Sequence, residues 1–182
     1  PLVPVAIASW EDFIFVCLST PPCSLAEFLG RIVSDAQGYR SPQTQLAIQK
    51  QYRVACNWKN YHDNTLCDYH VAIAHRNTLN KVQGPIRFYE HFFDTYVNSL
   101  YTPTTPDWRE QNQVLEHLGD RNKYGFITFG IFPNLHLLAL PNGVIAWIQI
   151  EPDGAQHCRV NLEVYAIPGR VGSVWLSDHC EQ

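Results

Sequence analysis

Residues 125–165 read GFITFGIFPNLHLLALPNGVIAWIQIEPDGAQHCRVNLEVY. Apolar runs rich in Ile, Val, Leu and aromatic residues alternate here with PN, PNG and PDG, which are turn signals because Pro and Gly set backbone angles that strands cannot use. The spacing predicts three or four antiparallel strands in a meander. Working outward, Leu2 to Leu18 (LVPVAIASWEDFIFVCL) has a turn-like Ser9 to Asp12 between two β-prone runs and reads as a pair of strands. Ser24 stands as an N-cap before a short helix, LAEFLGRIV. Gln43 to Trp58 alternates imperfectly and reads as one or two strands. From Lys59 the pattern turns helical, with polar NYHDN leading into LCDYHVAIAH. Gln83 to Pro106 is aromatic-rich and closes on TPTTP. Strands, a helix, then strands again indicate an α+β domain in which an antiparallel sheet wraps a helix.

The chain has 182 residues, 46% of them hydrophobic, which suits one substantial core and one domain. Net charge is -4, and the 13 Lys and Arg residues are scattered, so no basic stripe exists to hold nucleic acid. Apolar runs break well before the ~20 residues of a membrane span. The chain opens PLVPVAIASW, with no basic leader and no Met anywhere, and is expected to be a piece of something longer. Six Cys (17, 23, 56, 67, 158 and 180) are spaced irregularly, which favours reduced thiols and a cytoplasmic location. Cys67 to His70 is a lone CxxH with no second pair, so no zinc ribbon or Rieske cluster can be built from local pairs.

Chemistry concentrates in Asn57 to His75, NWKNYHDNTLCDYHVAIAH, which holds His62, Asp63, Cys67, Asp68, His70 and His75. On an ideal helix His70 and His75 stand about 140° apart, so a bulge or a break after His70 is needed for both to reach one metal ion. Otherwise they pack independently.

This run resembles the signature of the catalytic domain of Rieske-type ring-hydroxylating oxygenases, approximately N-W-K, four residues, N-x-x-D-x-Y-H, four residues, H. Asn57, Trp58, Lys59, Asn64, Tyr69, His70 and His75 fall in place. VAIASWEDFIFVCL is similar to the family's entry into that domain, and the 132–165 region to its later strands. The resemblance implies a helix-grip fold, a curved antiparallel sheet around a long helix. It implies a mononuclear Fe(II) held by His70, His75 and a carboxylate, the 2-His-1-carboxylate set that leaves open positions for O2. It places the carboxylate near the C-terminus, at Asp178, with Glu181 in reserve and an exposed carboxylate without a metal role as the alternative.

The family's acid, which links the first histidine to the cluster of a neighbouring subunit, stands three residues before it. That position is Cys67 here, and the acid is Asp68. Asn64 and Asp63 are candidate hydrogen-bond partners beside the metal, or helix-start caps. His62 reads as a solvated or satisfied side chain and His136 as a core or surface histidine that could face the sheet's concavity. Phe88, Phe92, Phe93 and Tyr96, at helical spacing, read as core ahead of pocket lining.

The resemblance further implies electrons from NAD(P)H through a reductase, with or without a ferredoxin, and a [2Fe-2S] Rieske cluster outside this chain. It implies a trimeric enzyme that hydroxylates, dihydroxylates or demethylates a small organic substrate. Two other readings stand beside it. One is a metal-free helix-grip module for an apolar ligand. The other is a zinc hydrolase, for which no HExxH-type glutamate is present.

Overall fold

The computed structural model describes residues 4–77 and 79–170. Nine strands and seven short helices occur among them, in the order β1 Ala6–Trp10, β2 Phe13–Cys17, α1 Leu25–Leu29, α2 Ile32–Asp35, β3 Gln45–Val54, α3 Trp58–Thr65, α4 Val71–Ala74, α5 Leu79–Val82, β4 Glu90–Phe93, β5 Val97–Pro103, α6 Pro106–Gln111, α7 Asp120–Tyr124, β6 Gly125–Ile131, β7 Leu135–Ala139, β8 Ile145–Pro152 and β9 Cys158–Ala166. Seven strands form one antiparallel sheet, ordered β3-β9-β8-β7-β6-β5-β4, and β1 and β2 form a separate hairpin.

The opening stretch is the meander it reads as: β6, β7, β8 and β9 pair in succession. Its alternation sorts side chains onto two faces. Ile127, Phe129, Ile131, Leu137, Ala139, Ile145 and Trp147 belong to one core, while Phe126, Leu138, Ala146, Leu162 and Val164 belong to the other. Both faces are covered, which is why every residue of β6 is buried. Phe126, Ile127, Phe129 and Ile131 are each 2% exposed or less, and each such side chain contributes roughly 1.5–3 kcal/mol by leaving water.

The first face is closed by the hairpin and by α1–α2. Trp10 pairs with Phe13 across Glu11 and Asp12, whose φ values of 49° and 65° match the two positive angles of a type I′ turn. Phe13 meets Trp147 and Tyr165 edge-on at 5.1 and 5.2 Å, which docks the hairpin on the sheet. Ser24 caps α1 in a reciprocal box: the Glu27 amide donates to Ser24 Oγ and the Ser24 amide to Glu27 Oε2. The expected helix LAEFLGRIV stops at Leu29, because Gly30 takes φ 52° and a second short helix begins at Ile32.

Gln43 to Trp58 supplies one strand, β3, with a register shift between Leu46 and Ile48 that accounts for its imperfect alternation. Of the aromatics from 88 to 96 only Phe88 is helical, as the last residue of a single 3-10 turn, Ile86–Phe88. Phe92 and Phe93 sit on β4, where successive side chains face opposite ways, so Phe93 is 79% exposed and Phe88, outside the strand, 53%. Phe92 lies instead under the Arg31 guanidinium, and Tyr96 stacks on Phe28. The α+β class holds. Among the described residues the longest helix is α3, eight residues, so the long helix of the helix-grip pattern is not among them.

Candidate functional site

The second face of the sheet carries the histidine-rich segment. Asn57 starts α3: its Oδ1 accepts from the Lys59 amide at 3.0 Å, and its Nδ2 donates to the Ala155 carbonyl at 2.8 Å, tying the helix to the β8–β9 turn. The start cap is therefore Asn57. Asp63 and Asn64 lie in the last turn of α3, which removes their reading as helix-start caps.

The continuous helix expected from Lys59 onward is broken. Between Thr65 and Val71 the chain makes turns, with the Cys67 amide bonded to the Asn64 carbonyl at 3.2 Å and the Val71 amide to the Asp68 carbonyl at 3.2 Å. The sheet explains the break. Gly130 on β6 has no side chain, and a Cβ there would collide with Leu66 Cδ1 and Asn98 Oδ1. Leu66 thus settles onto bare backbone as the helix ends.

After that break His70 and His75 are the two caps of α4, and their ring centroids lie 5.0 Å apart at 68°. The break falls before His70, not after it, and the departure from an ideal helix between the two rings is at His75, whose φ of -109° and ψ of 30° take it out of α4. A metal ion bonded to a ring nitrogen at about 2.1 Å sits roughly 3.2 Å from that ring's centroid, so two ligands 90–100° apart place their centroids roughly 4.6–5.0 Å from each other. The pair fits that arrangement. His70 Nδ1 is buried and has no hydrogen-bond partner, and neutral imidazole nitrogens suit iron.

Both histidines line a cavity of about 300 Å³ between the α3–α4 segment and the sheet. Tyr61, Asn64 and Thr65 enter it from α3, Cys67 and Asp68 from the break, and Val71 from α4. The floor is Tyr52, Leu100, Phe126, Thr128, Leu138, Ile148, Val160 and Leu162, all from strands. Among the described residues neither Lys nor Arg lines it, and Asp68 is the lone carboxylate on its wall. These floor residues were not singled out from sequence. The signal was present in the period-2 alternation of residues 125–165, but which face would meet the histidines depends on the return of β3 beside β9.

Asp68 does not turn to His70. Its Oδ2 is 2.9 Å from Nε2 of His91 on β4, a partner from the far edge of the sheet. Tyr89 donates to Gln83 Oε1 at 2.9 Å, and its phenol is pushed up to about 12 by burial, with the nearby Asp68 charge adding to the shift.

His62 is half-buried, with its Nδ1 closed off from solvent. Its ring centroid is 4.3 Å from that of His136, which is fully buried; Nδ1 of His62 and both ring nitrogens of His136 have no hydrogen-bond partner. Burial, then the His62 ring, holds the His136 imidazole down to about 3, and burial also lowers His62. His136 is thus a core histidine, and neither ring is among the cavity's lining side chains.

Among the described residues no group of three His, Cys, Asp or Glu is placed to hold a metal ion. Asp178 and Glu181 lie outside the described residues. No described helix is long and apolar enough to cross a membrane.

Residues 44–181 match the family model described as ring hydroxylating alpha subunit (catalytic domain). No curated protein sequence matches the chain. Among solved structures, the quaternary ammonium Rieske monooxygenase CntA with a bound inhibitor superposes with a TM-score of 0.71 at 16% identity, over 91% of this chain and 42% of that one. The same enzyme with L-carnitine gives 0.68 at 18% identity, over 91% and 42%. Naphthalene 1,2-dioxygenase from Rhodococcus sp., bound to indole, gives 0.69 at 19% identity, over 95% and 47%. The chain therefore spans less than half the length of the solved chains it resembles.

Proposed function

Because the chain belongs to the family of ring-hydroxylating alpha subunit catalytic domains, we propose that its cavity is the oxygenation site of a Rieske-type non-haem iron oxygenase. The observation that carries this reading is the convergence of the His70 and His75 rings at 5.0 Å on the wall of a cavity. In this proposal His70, His75 and Asp178 hold ferrous iron, and residues 1–182 form one catalytic domain whose Rieske [2Fe-2S] domain lies outside it. Iron bound there would supply the binding and reductive activation of O2. Electrons would come from NAD(P)H through a reductase or ferredoxin and the Rieske cluster, in a homotrimer of a cytoplasmic enzyme.

The chain's own residues do the rest. Leu66 on Gly130 fixes the path of the chain into His70. Asp68, held by His91, fixes the other end of that break and keeps a negative charge beside the ligands. Asn64 offers an amide at the cavity rim for a hydrogen bond to a polar substituent or to bound water. The strand side chains of the floor exclude water from the reacting carbon and hold an apolar body against the histidines.

With no Lys or Arg among its described lining residues, and with the two charges of the proposed iron offset by the ligand carboxylate and by Asp68, the cavity favours a neutral, largely apolar substrate over a carboxylate. A buried anion without a partner loses far more solvation than the cavity returns. Two measurements test the reading together. His70→Ala and His75→Ala should each lose stoichiometric Fe(II) on anaerobic reconstitution while keeping the parent's circular dichroism. Naphthalene should perturb the spectrum of the iron-loaded chain at concentrations at least about tenfold below 1-naphthoate. Full iron retention by both variants refutes the site, and equal binding of the two ring compounds refutes the substrate class.

A further inference from the structure

Outside the cavity, a pair of thiols meets at the base of α3. Cys56 lies in the bend between β3 and α3, directly before the cap Asn57, and Cys158 is the first residue of β9, paired with Val54. Their sulfurs are 3.9 Å apart, in van der Waals contact, and both are free thiols. Cys158 is fully buried beside Ile150 and Val160, whereas Cys56 is partly exposed.

We propose that Cys56 and Cys158 form a redox modification site, closing an intrachain disulfide when the protein meets a hydroperoxide. The asymmetry of the pair orders the chemistry. Cys56 is the thiol that solvent reaches, so its sulfur attacks the peroxide, the O–O bond breaks, and Cys56 becomes a sulfenic acid as one water leaves. The Cys158 sulfur then displaces the hydroxyl from Cys56, forming the S–S bond and releasing a second water. In total two thiols and one hydrogen peroxide give one disulfide and two waters.

Burial and the neighbouring Cys56 push the Cys158 thiol up to about 11. It is therefore a poor first nucleophile, and it reacts only once an electrophilic sulfur is already in contact. The sulfurs must close by roughly 1.9 Å to reach the ~2.05 Å bond, and Cys56 can supply that movement because it lies in a bend, outside the strand ladder.

The oxidised form fastens α3 where weaker ties already hold it. The Asn57 side chain donates to the Ala155 carbonyl, and Arg53 pairs with Asp153 at 2.8 Å in the same turn. A bond closing a loop of about a hundred residues restricts the unfolded chain strongly.

The test treats the 182-residue chain with hydrogen peroxide and follows thiol titre, non-reducing peptide mapping and thermal unfolding. The expected result is a Cys56–Cys158 linked peptide, loss of two titratable thiols per chain that dithiothreitol restores, and a midpoint raised by at least about 5 °C. Cys56→Ser, a change at the partly exposed position, should abolish the linked peptide and the rise together, and Cys67→Ser should leave both intact. Progression of Cys56 to sulfinic acid with Cys158 still reduced would overturn the proposal, as would linkage of either residue to another cysteine in preference to its neighbour.

Discussion

Replacing Gly130 with alanine tests whether the contact of Leu66 with bare β6 backbone sets the path of the chain into His70. The new Cβ would collide with Leu66 Cδ1 and Asn98 Oδ1, the far ends of two half-buried side chains, so that one or both must turn aside over a strand whose own residues are all buried. Overpacking of this kind costs about 1–3 kcal/mol, and the lower chain entropy of alanine returns about 0.5–1 kcal/mol. The net loss is about 1–2 kcal/mol, which for a chain of this size lowers the thermal midpoint by about 3–6 °C. The assay is a double-mutant cycle in urea with Leu66→Ala, which removes one of the two colliding groups. The cost of Gly130→Ala should fall by about half in that background, since contacting residues are not additive. Anaerobic Fe(II) titration of Gly130→Ala should show affinity weakened by about tenfold or more, because the displaced Leu66 moves the chain entering His70. An unchanged midpoint, or the same cost with and without the Leu66 side chain, would refute the role given to Gly130.

Two further outcomes are expected. Asp178→Ala should weaken Fe(II) binding by at least about 10 to 100-fold, the loss typical of removing even an outer partner of a metal site, while Glu181→Ala should match the parent; if the two results exchange, Glu181 is the ligand. The buried His136 predicts an acid-labile fold. Its imidazole is held down to about 3 while an unfolded histidine titrates near 6.5, so the unfolded chain binds the extra proton between those values. The sign follows: stability is fully present above about pH 6.5 and is lost as pH falls toward 3, by up to about 1.4 kcal/mol per unit, with the lowered His62 adding in the same direction. Urea midpoints of His136→Leu should fall less between pH 7 and pH 5 than those of the parent, and equal slopes would refute the assignment.

The strands from Gly125 to Ala166 were legible because turn residues and alternation are local properties. The β1–β2 hairpin was legible for the same reason. The convergence of His70 and His75 was not, since helical periodicity runs on from Leu66 to His75 while the chain leaves the helix at Leu66 and again at His75, and the glycine beneath Leu66 is more than sixty residues away. The partner of Asp68 was hidden likewise: His91 is remote in sequence and belongs to the opposite edge of the sheet. Phe88 to Tyr96 misled because spacings of three to five arise by chance in a short aromatic run, and a four-residue strand leaves too little alternation to correct the reading.

The order of the sheet also sets a schedule. β3 borders β9 alone, and Val54 at its end pairs with Cys158. At about 5–20 residues per second, the roughly one hundred residues between them occupy a ribosome for about 5–20 s. During that interval β3 has no strand to join, and the segment bearing His70 and His75, which follows it directly, has only the growing β5 to β8 surface to rest on. Loop closure over such a distance is entropically slow as well. The first half of the polypeptide thus carries the histidines but cannot hold them, and a nascent chain halted before β9 would display the apolar floor of the cavity to the cell. Completion of β9 is therefore the step on which the site depends, and substitutions in Cys158–Ala166 should lower the yield in cells more than equally buried substitutions in β5.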